Sequence, residues 1–446
     1  VVFSPNVELS TFGGDVRIEA QLNTTLAIVD TRTATDVAGD TLDDQLNWGR
    51  VSLVNHAGSL ADADVDPADL SPINLFASDI RITTLSGIGT LTNAIEAESI
   101  TLSAEVTGDA LASNLNIQAN TDIDLISVAP VEVFRVAEDG TVSSRSDVAA
   151  LSGLATAVNG TIILNVLSGN LATVSDIVTS GTGNVLLNVG SGAIDLNGNL
   201  QTETGNVSLL ANGALALSAT SQINTTSGTI DVMSGADIQL ADGSALTSTG
   251  GDIRVEAVDD ILLSAIDAAN GNILVISTAG DLLDNGDTQR DLVSSGLIVS
   301  VAGMVGELGT TVNPLEITVD SLSVTSGTGI SLTETDDLIV DTVNNTVNRV
   351  TIDGALEVVN VEPMSELMTN NGGSIVVRTE NGGITVNDGE IDFSNVNFRI
   401  GDLNNDITFT AVTSGTAFDG VTIQYVDSPL IIQGNESVSY NAADKV

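Results

Sequence analysis

Aliphatic residues recur at a fixed spacing through the middle third of the chain. Six glycines open successive segments, with spacings of 23, 22, 23, 23 and 20 residues: Gly160, Gly183, Gly205, Gly228, Gly251 and Gly271. The second and fourth residues after each of these glycines are Ile, Leu or Val, whereas the residue between them varies. This alternation is typical of a β-strand that buries one face.

Each segment contains further apolar positions that predict further strands. A second aliphatic pair follows in the same segments: Ile194/Leu196, Leu215/Leu217, Ile238/Leu240 and Ile261/Leu263. A third apolar position comes later: Ile177, Leu200, Ile223, Leu246 and Ile266. The residues between these positions are rich in Gly, Asn, Asp, Ser and Thr, which favour turns. Each unit of about 22 residues is therefore predicted to contain three short strands.

A unit of this size cannot bury its own apolar face, but stacked units can bury one another's. Equivalent strands of stacked units pair in parallel at about 4.8 Å per coil. We therefore predict an all-β fold, a parallel β-solenoid (β-helix) with coils of about 22 residues and three short strands per coil. If the whole chain coils at this period, it makes a rod of roughly 20 coils and about 100 Å.

The regularity of the pattern divides the chain into six predicted regions. They are 1–35, the first coils or an assembly segment; 36–75, an acidic loop or capping excursion; 76–127, β-solenoid coils; 128–152, a loop excursion; 153–295, regular β-solenoid; and 296–446, looser β-solenoid with a C-terminal cap.

Two motifs occur twice and indicate an internal duplication of about ten coils. "GGDVRIEA" and "GGDIRVEA" begin at positions 13 and 250, which are 237 residues apart, and "GTLTNAIE" and "GTTVNPLE" begin at positions 89 and 309, which are 220 apart. In the second "GGD" copy we expect Ile253 and Val255 to enter the core and Asp252, Arg254 and Glu256 to face water. For the first copy we expect the same inward orientation of Val16 and Ile18.

Composition restricts the partners that this chain can have. Its 59 acidic and 12 basic residues give a formal net charge of −47. Such a surface repels nucleic acid and anionic membranes, and no apolar run is long enough to predict membrane insertion. The absence of cysteine excludes disulfides, thiolate metal sites and a cysteine nucleophile. The chain opens with "VVFSPNVELS", without an initiator Met or a signal segment, so we expect a processed protein or a fragment of a longer one.

The segment "GELGTTVNPLEITVDSLSVTSGTGISLTETDDLIV" (306–340) resembles the repeats of large bacterial surface proteins with β-helical, filamentous-haemagglutinin-like architecture. Those repeats similarly run Gly-x-Gly-Thr-x-x-Asn-Pro-Leu-Glu, then an Asp-x-Leu strand, then Gly-[Asp/Gly]-Ile. The first copy of the motif departs from this pattern, with Ala94 where the second has Pro314. The resemblance implies an extracellular stalk or adhesin segment and carries no catalytic residues.

Polysaccharide hydrolases and lyases also use β-helices, so a polysaccharide-active enzyme is an alternative for this chain. Asn120-Thr121-Asp122 matches one short motif of pectin-degrading hydrolases, but their later Gly-His-Gly and Arg-x-Lys are missing, because the only His is His56 and the only Lys is Lys445. Asp259-Asp260 and Asp336-Asp337 are acid pairs without the required partners.

A lyase would need a basic residue beside clustered acids. Arg254 is the nearest candidate for that residue. The alternative explanation for Arg254 and the acids beside it is a solvated row of charges. We expect that the protein is not an enzyme.

One acidic loop is a candidate calcium site. "ADADVDPADL" places four carboxylates close together, which suits Ca²⁺: Asp62, Asp64, Asp66 and Asp69. The loop is not an EF-hand, because Pro67 stands where that loop needs Gly and Ile73 where it needs Glu. A solvated acidic loop is the alternative. A second, weaker candidate is "GDLLDNGD" (280–287), with Asp281, Asp284 and Asp287. Trp48 is interpreted as a packed cap residue rather than as a sugar-stacking platform.

These patterns lead to one main expectation and two alternatives. We expect an extracellular or cell-surface structural protein: a rigid stalk, a filament subunit or an adhesin segment. The expected partners are further copies of the chain, joined into a fibre or lateral array, and a host or cell-surface ligand. Residues 1–10 and 428–440 are candidate strands for such pairing. The alternatives are a polysaccharide-active β-helix enzyme and a calcium-dependent adhesion module.

Overall fold

The protein winds into one parallel β-solenoid, as the alternation predicts. The computed structural model describes all residues except 6, 38–44, 65–72, 109–112, 287–288, 311, 366, 388–395 and 401–446, and it describes 396–400 as backbone only. Thirty-nine strands form one large sheet, and the pairings between its successive coils are parallel. The predicted fold class is confirmed. No helix within the described ranges is long and apolar enough to cross a membrane.

The first coils contain short strands interrupted by one α-helix and one 3₁₀ helix. The strands are β1 (Glu8–Ser10), β2 (Val16–Ala20), β3 (Thr24–Leu26), β4 (Ile28–Asp30), β5 (Val51–Asn55), β6 (Ser59–Asp62), β7 (Leu75–Phe76), β8 (Asp79–Thr84), β9 (Gly87–Ile88), β10 (Ile95–Glu98), β11 (Thr101–Val106), β12 (Leu115–Ala119) and β13 (Ile123–Leu125). Helix α1 (Ala34–Val37) and a 3₁₀ helix (Gln45–Asn47) lie between β4 and β5.

The middle coils are the most regular. Between β13 and them lie β14 (Ser127–Val128), β15 (Glu132–Val136), β16 (Val142–Ser146) and β17 (Leu151–Ser152). The coils then contain β18 (Leu154–Val158), β19 (Ile162–Val166), β20 (Leu171–Thr173), β21 (Ile177–Ser180), β22 (Val185–Val189), β23 (Ile194–Leu196), β24 (Leu200–Gln201), β25 (Val207–Ala211), β26 (Leu215–Leu217), β27 (Gln222–Thr225), β28 (Ile230–Ser234), β29 (Ile238–Leu240), β30 (Ala245–Ser248), β31 (Ile253–Ala257) and β32 (Ile261–Leu263).

The last described part of the chain combines strands of two or three residues with strands of up to 13 residues. They are β33 (Ala265–Ser277), β34 (Leu282–Asp284), β35 (Leu292–Val301), β36 (Met304–Val305), β37 (Leu315–Ser326), β38 (Gly329–Glu334), β39 (Leu338–Val340), β40 (Val343–Val350), β41 (Leu356–Met364), β42 (Leu367–Thr369), β43 (Ile375–Thr379), β44 (Ile384–Val386) and β45 (Val396–Ile400).

The three strands of a regular coil define three faces of the solenoid. Face A contains β12, β19, β22, β25, β28 and β31; face B contains β13, β20, β23, β26, β29 and β32; face C contains β18, β21, β24, β27 and β30. One register column joins fourteen successive rungs: Leu9, Val29, Leu75, Ala97, Ala119, Val166, Val189, Ala211, Ser234, Ala257, Ser277, Val301, Ser326 and Thr369.

Fourteen rungs at about 4.8 Å correspond to about 60 Å of solenoid. This part is shorter than a uniform 22-residue period predicts, because several coils carry insertions.

The inward aliphatic side chains form one hydrophobic core from the first coil to the last described ones. This cluster extends from Val16 to Val377, and the inward residues of the middle coils are almost wholly buried. On face A, Leu164, Leu187 and Leu209 stack directly above one another. Burial of such a ladder is the main stabilising contribution of each added coil.

Acidic side chains at one corner link successive coils. Asp237 Oδ1 accepts the backbone N–H of Asp260 (3.1 Å), and Asp260 Oδ1 accepts that of Asp281 (2.8 Å). Asp281 Oδ1 then accepts the N–H of Met304 (2.7 Å). These carboxylates satisfy donors that the sheet leaves unpaired at the turn, so part of the acidity of the chain is structural.

A long hairpin formed by β40 and β41 lies across the outside of face A, and local alternation does not predict it. Its strands pair antiparallel. Backbone N–H groups of Thr346, Asn348 and Val350 donate to Asp252, Thr229 and Ser208 in turn, all at 2.8 Å. Because these acceptors belong to successive coils, the hairpin runs back along the solenoid. Under its tip, Val350 packs against Ile163 and Leu186.

The hairpin overturns the expected solvent exposure of Arg254. This side chain is only 7 % exposed, because it lies beneath β40 beside the fully buried Asp231. Arg254 Nη1 is 2.9 Å from Asp231 Oδ1, Arg349 Nε from the hairpin is 2.6 Å from Asp231 Oδ2, and Arg254 also contacts Glu256. Asp252 and Glu256 are half-buried rather than fully exposed. The inward orientation of Ile253 and Val255 is confirmed.

Residues 128–152 contain a second hairpin, formed by β15 and β16, which is fixed by a similar arrangement of charges. Asp147, which follows β16, lies 3.0 Å from Arg17 Nε and 3.1 Å from Arg81 Nε. It also accepts hydrogen bonds from Ser52 Oγ (3.0 Å) and from the N–H of Val131 (2.9 Å). At each hairpin, one buried aspartate lies between two arginines and links the inserted segment to the solenoid.

The two "GGD" motifs are not equivalent in the fold. Val16 pairs with Val51, whose column continues through β8 and β11 to Leu125 on face B. Ile253 instead pairs with Ile230 on face A. Their similarity therefore does not mark a duplication, whereas the second repeated motif does so, as described below.

Core packing predicts a large effect of truncation within the ladder. Leu187→Ala removes a fully buried side chain between Leu164 and Leu209. We expect a loss of about 2–5 kcal/mol in unfolding free energy, measured by denaturant titration followed by circular dichroism. The control Val174→Ala alters an exposed side chain and should change stability by no more than about 0.5 kcal/mol. Equal effects of the two variants would contradict a continuous core.

The attachment of the β40–β41 hairpin can be tested separately. Val350→Asp places a charge against Ile163 and Leu186, so the hairpin should detach while the coils stay folded. We expect faster proteolytic cleavage within 343–364 and an unchanged circular dichroism spectrum. Val358→Asp is the control, because Val358 lies on the same hairpin but is exposed. Equal rates of proteolytic cleavage in the two variants would show that the attachment of the hairpin does not depend on this contact.

One acid within the core predicts a pH dependence of stability. Glu334 is fully buried and accepts the N–H groups of Val319 (3.0 Å) and Thr335 (2.7 Å). Burial outweighs these bonds and raises its pKa from 4.5 to about 7. The folded protein therefore holds this proton at pH values where the unfolded chain has lost it. Stability from this group is complete below pH 4.5 and is lost as pH rises to about 7.

Glu334→Gln removes this proton equilibrium. Its melting temperature relative to the wild type should therefore rise between pH 4.5 and pH 7.5, even though the variant loses one hydrogen-bond acceptor. Glu357→Gln, at an exposed carboxylate of β41, is the matched control. A constant difference in melting temperature across this range would contradict the raised pKa of Glu334.

Candidate metal centre

Three carboxylates converge at one corner of the second half of the solenoid. Asp284 ends β34, Asp291 immediately precedes β35, and Glu316 lies in β37. One carboxylate oxygen from each lies within 4.8 Å of the others. The parallel stacking of β35 and β37 brings Asp291 and Glu316 together, although 25 residues separate them in sequence.

The surroundings of these carboxylates are largely closed to water. Asp284 and Asp291 are buried, and Glu316 is half-buried. The N–H of Gly286 donates to Asp284 Oδ2 (3.0 Å), and that of Glu316 donates to Asp291 Oδ2 (2.9 Å). Asp284 Oδ1 is buried and has no hydrogen-bond partner within the part of the chain that the structure describes. Burial, reinforced by the charges of Asp284 and Glu316, raises the pKa of Asp291 to about 9.

The first half of the solenoid contains an equivalent corner. Leu60 O accepts the N–H of Gly89 (2.9 Å), as Leu282 O accepts that of Gly306 (2.8 Å). Both glycines have a left-handed φ, +64° and +62°, and each opens a turn closed by an antiparallel bridge. The turns are Thr90–Asn93 in the first half and Glu307–Asn313 in the second. Glu96 and Glu316 follow them at matching positions.

This equivalence supports the predicted duplication through "GTLTNAIE" and "GTTVNPLE" and corrects its alignment. Asn93 matches Asn313 and Glu96 matches Glu316, as the sequence suggests. Gly89, however, matches Gly306 rather than Gly309, because the turn in the second half is three residues longer.

The two corners differ at one residue that changes their chemistry. The position occupied by Asp291 in the second half is occupied by Asn74 in the first. Asn74 O accepts the N–H of Val29 at 2.7 Å, and Asp291 O accepts that of Ile266 at the same distance. Asn74 Nδ2 also donates to Asp62 Oδ1 (2.7 Å), whereas the carboxylate of Asp291 has no corresponding donor when ionised.

The carboxylates predicted from the sequence are only partly described. Asp62 ends β6 at the first-half corner, and its Oδ1 accepts the N–H of Asp64 (3.1 Å) and the amide of Asn74. Asp66 and Asp69 lie outside the described residues, so a four-carboxylate calcium loop stays a prediction. Glu96, near Asp62 and Asp64, has its pKa raised to about 7, mainly by burial.

Of the described members of the second predicted set, Asp284 belongs to the three-carboxylate cluster and Asp281 does not. Asp281 lies at the corner that links successive coils, and Asp287 lies outside the described residues. Sequence reasoning missed Asp291 and Glu316. The available signal was Glu316 itself, the last residue of the repeated "GTTVNPLE" motif, which matches Glu96 in the first copy.

An open cavity of about 420 Å³ adjoins the second-half corner. Its lining includes Arg290, Glu316, Thr335 and Glu380, and Arg290 Nε donates to Thr335 Oγ1 (3.1 Å). Glu316 therefore connects the buried carboxylates with solvent.

Several residues considered as catalytic candidates have structural contacts. Asp122 accepts the N–H of Asn170 (2.5 Å), Asp260 links two coils, and Asp337 Oδ1 accepts the N–H of Gly383 (2.8 Å). His56 Nε2 lies 2.7 Å from Glu19 Oε1 on the surface.

Trp48 is packed, as predicted. Its Nε1 donates to Asp36 Oδ2 (2.9 Å), and its ring lies edge-on to Phe76 with centroids 6.4 Å apart.

Comparison with protein-family models, with curated proteins and with solved structures finds no match to this chain. The assignment of the parallel β-solenoid and of its duplicated corner therefore depends on the residues and geometry of this chain alone.

Proposed function

We propose that this chain is a structural segment of an extracellular surface protein, acting as a rigid stalk, filament subunit or adhesin segment. The observation that carries the proposal is the unbroken column of fourteen rungs above one continuous hydrophobic core. A solenoid of this kind resists bending, because bending would separate paired strands and open the core at the same time.

The outer hairpins add to this rigidity. The β40–β41 hairpin hydrogen-bonds to Ser208, Thr229 and Asp252 on successive coils. It therefore braces face A along the rod axis, perpendicular to the strands. A contact that links successive coils suits a protein whose role requires a fixed length.

The Asn-Pro-Leu-Glu motif, whose counterpart in the first half is Asn-Ala-Ile-Glu, supports an assignment among β-helical, filamentous-haemagglutinin-like surface proteins. Pro314 lies in the turn that precedes β37, and its counterpart Ala94 precedes β10. The motif therefore belongs to a coil corner, which is a structural role. The net charge of −47 keeps such a surface soluble and discourages nonspecific association.

The first coil provides an edge for assembly. Among the described strands, β1 pairs only with β4 and β2 only with β5, so their other edges can accept a further coil. Val2, Phe12 and Leu22 are exposed at this end, with Leu22 stacked on Gly58 of the next coil. We propose that a further copy of the chain stacks there.

Two measurements on the full chain test this function. Small-angle scattering should give an elongated particle whose axial length is at least about 60 Å. Leu22→Lys should weaken concentration-dependent association in analytical ultracentrifugation, because it places a charge in the stacking surface.

The control Val174→Lys alters an apolar side chain of similar exposure on the side of the rod, 64 % against 68 % for Leu22, and should leave association unchanged. A compact scattering profile would contradict the rod, and a wild-type protein that stays monomeric at all concentrations would contradict assembly through this end.

A further inference from the structure

The second-half corner contains a buried carboxylate whose hydrogen bonding is incomplete. Asp284 is only 6 % exposed, and its Oδ1 has no hydrogen-bond partner among the described residues, although Oδ2 accepts the N–H of Gly286. Asp291 is 2 % exposed. A buried carboxylate oxygen is costly unless a donor or a cation meets it.

The first-half corner shows how the same backbone satisfies this oxygen. There, Asp62 Oδ1 accepts the N–H of Asp64, as Asp284 Oδ2 accepts that of Gly286, and it also accepts Asn74 Nδ2 at 2.7 Å. The other oxygen, Asp62 Oδ2, is the counterpart of the unpartnered Asp284 Oδ1, and it accepts Asn93 Nδ2 at 3.3 Å. In the second half Asp291 replaces Asn74, so a third carboxylate stands where the first half has an amide.

We propose that Asp284, Asp291 and Glu316 bind one divalent cation of the hard, oxygen-preferring class, with Ca²⁺ as the ion. Two oxygens bound to one Ca²⁺ at about 2.4 Å are at most about 4.8 Å apart. The three carboxylate oxygens lie within 4.8 Å of one another, so a common point exists that is no more than about 2.8 Å from each, close to the Ca²⁺–O distance of about 2.3–2.6 Å.

Charge and access agree with this assignment. Ionised carboxylates that share a buried site repel one another, and a divalent cation removes most of that repulsion. Glu316 borders the open cavity of about 420 Å³, which gives an ion a route from solvent to the buried oxygens. Oxygen-only ligands favour Ca²⁺ over Zn²⁺ or Cu²⁺.

The experiment uses the full chain, stripped with EDTA and dialysed at pH 7.5 and fixed ionic strength. Titration with CaCl₂ in a calorimeter should show one site per chain, and Ca²⁺ should raise the melting temperature. Asp291→Asn reproduces the residue of the first-half corner, so this variant should fold normally by circular dichroism. We expect its Ca²⁺ affinity to fall at least tenfold and its melting temperature to become insensitive to Ca²⁺.

Two further variants make the test specific. Asp259→Asn removes an exposed acid outside the cluster and should leave Ca²⁺ binding unchanged. Asn74→Asp gives the first-half corner the third carboxylate and should raise the stoichiometry from one Ca²⁺ to two. A wild-type protein without a calorimetric site at millimolar CaCl₂, or an Asp291→Asn variant that binds as tightly as the wild type, would overturn the proposal.

Discussion

Parallel backbone pairing between successive coils is the interaction on which the rest of the structure depends. A single coil has three short strands and no partner for their edges, so it can satisfy its backbone only by stacking. Stacking fixes the register, and the register places every second side chain either inside the core or outside it. The columns through Leu164, Leu187 and Leu209 and the acceptors at Asp237 and Asp260 follow from this one arrangement.

Stacking also explains why a small difference between two corners has chemical consequences. Strand pairing holds Asn74 and Asp291 at equivalent positions against the neighbouring coil. The backbone cannot move to accommodate the change of residue, because coils lock it on both sides. An amide at this position completes a hydrogen bond to Asp62, whereas a carboxylate there adds negative charge to a buried site. A duplicated scaffold can thus acquire a new site through one substitution.

Much of the fold could be predicted, because the signals for a solenoid are local. The Ile, Leu and Val residues at the second and fourth positions after each glycine predicted strands and their inward faces correctly. The solvent exposure of Arg254 was predicted wrongly by the same logic, since alternation shows only that a side chain leaves the core. Whether it then meets water or another part of the chain is a different question. Local alternation also does not show that the candidate carboxylates meet, because Asp284 and Glu316 belong to separate coils.

The sequence by itself determined the coil period, the parallel stacking and the continuous apolar core, because alternation and turn residues act over a few positions. Only the tertiary structure decided what lies on the outside of the rod. Arg349 reaches Asp231 across 118 residues of sequence, and the β40–β41 hairpin covers face A through such contacts. It also decided that Asp284, Asp291 and Glu316 meet at one corner. Contacts of this kind depend on how many coils separate two residues in the stack, which local sequence patterns do not encode.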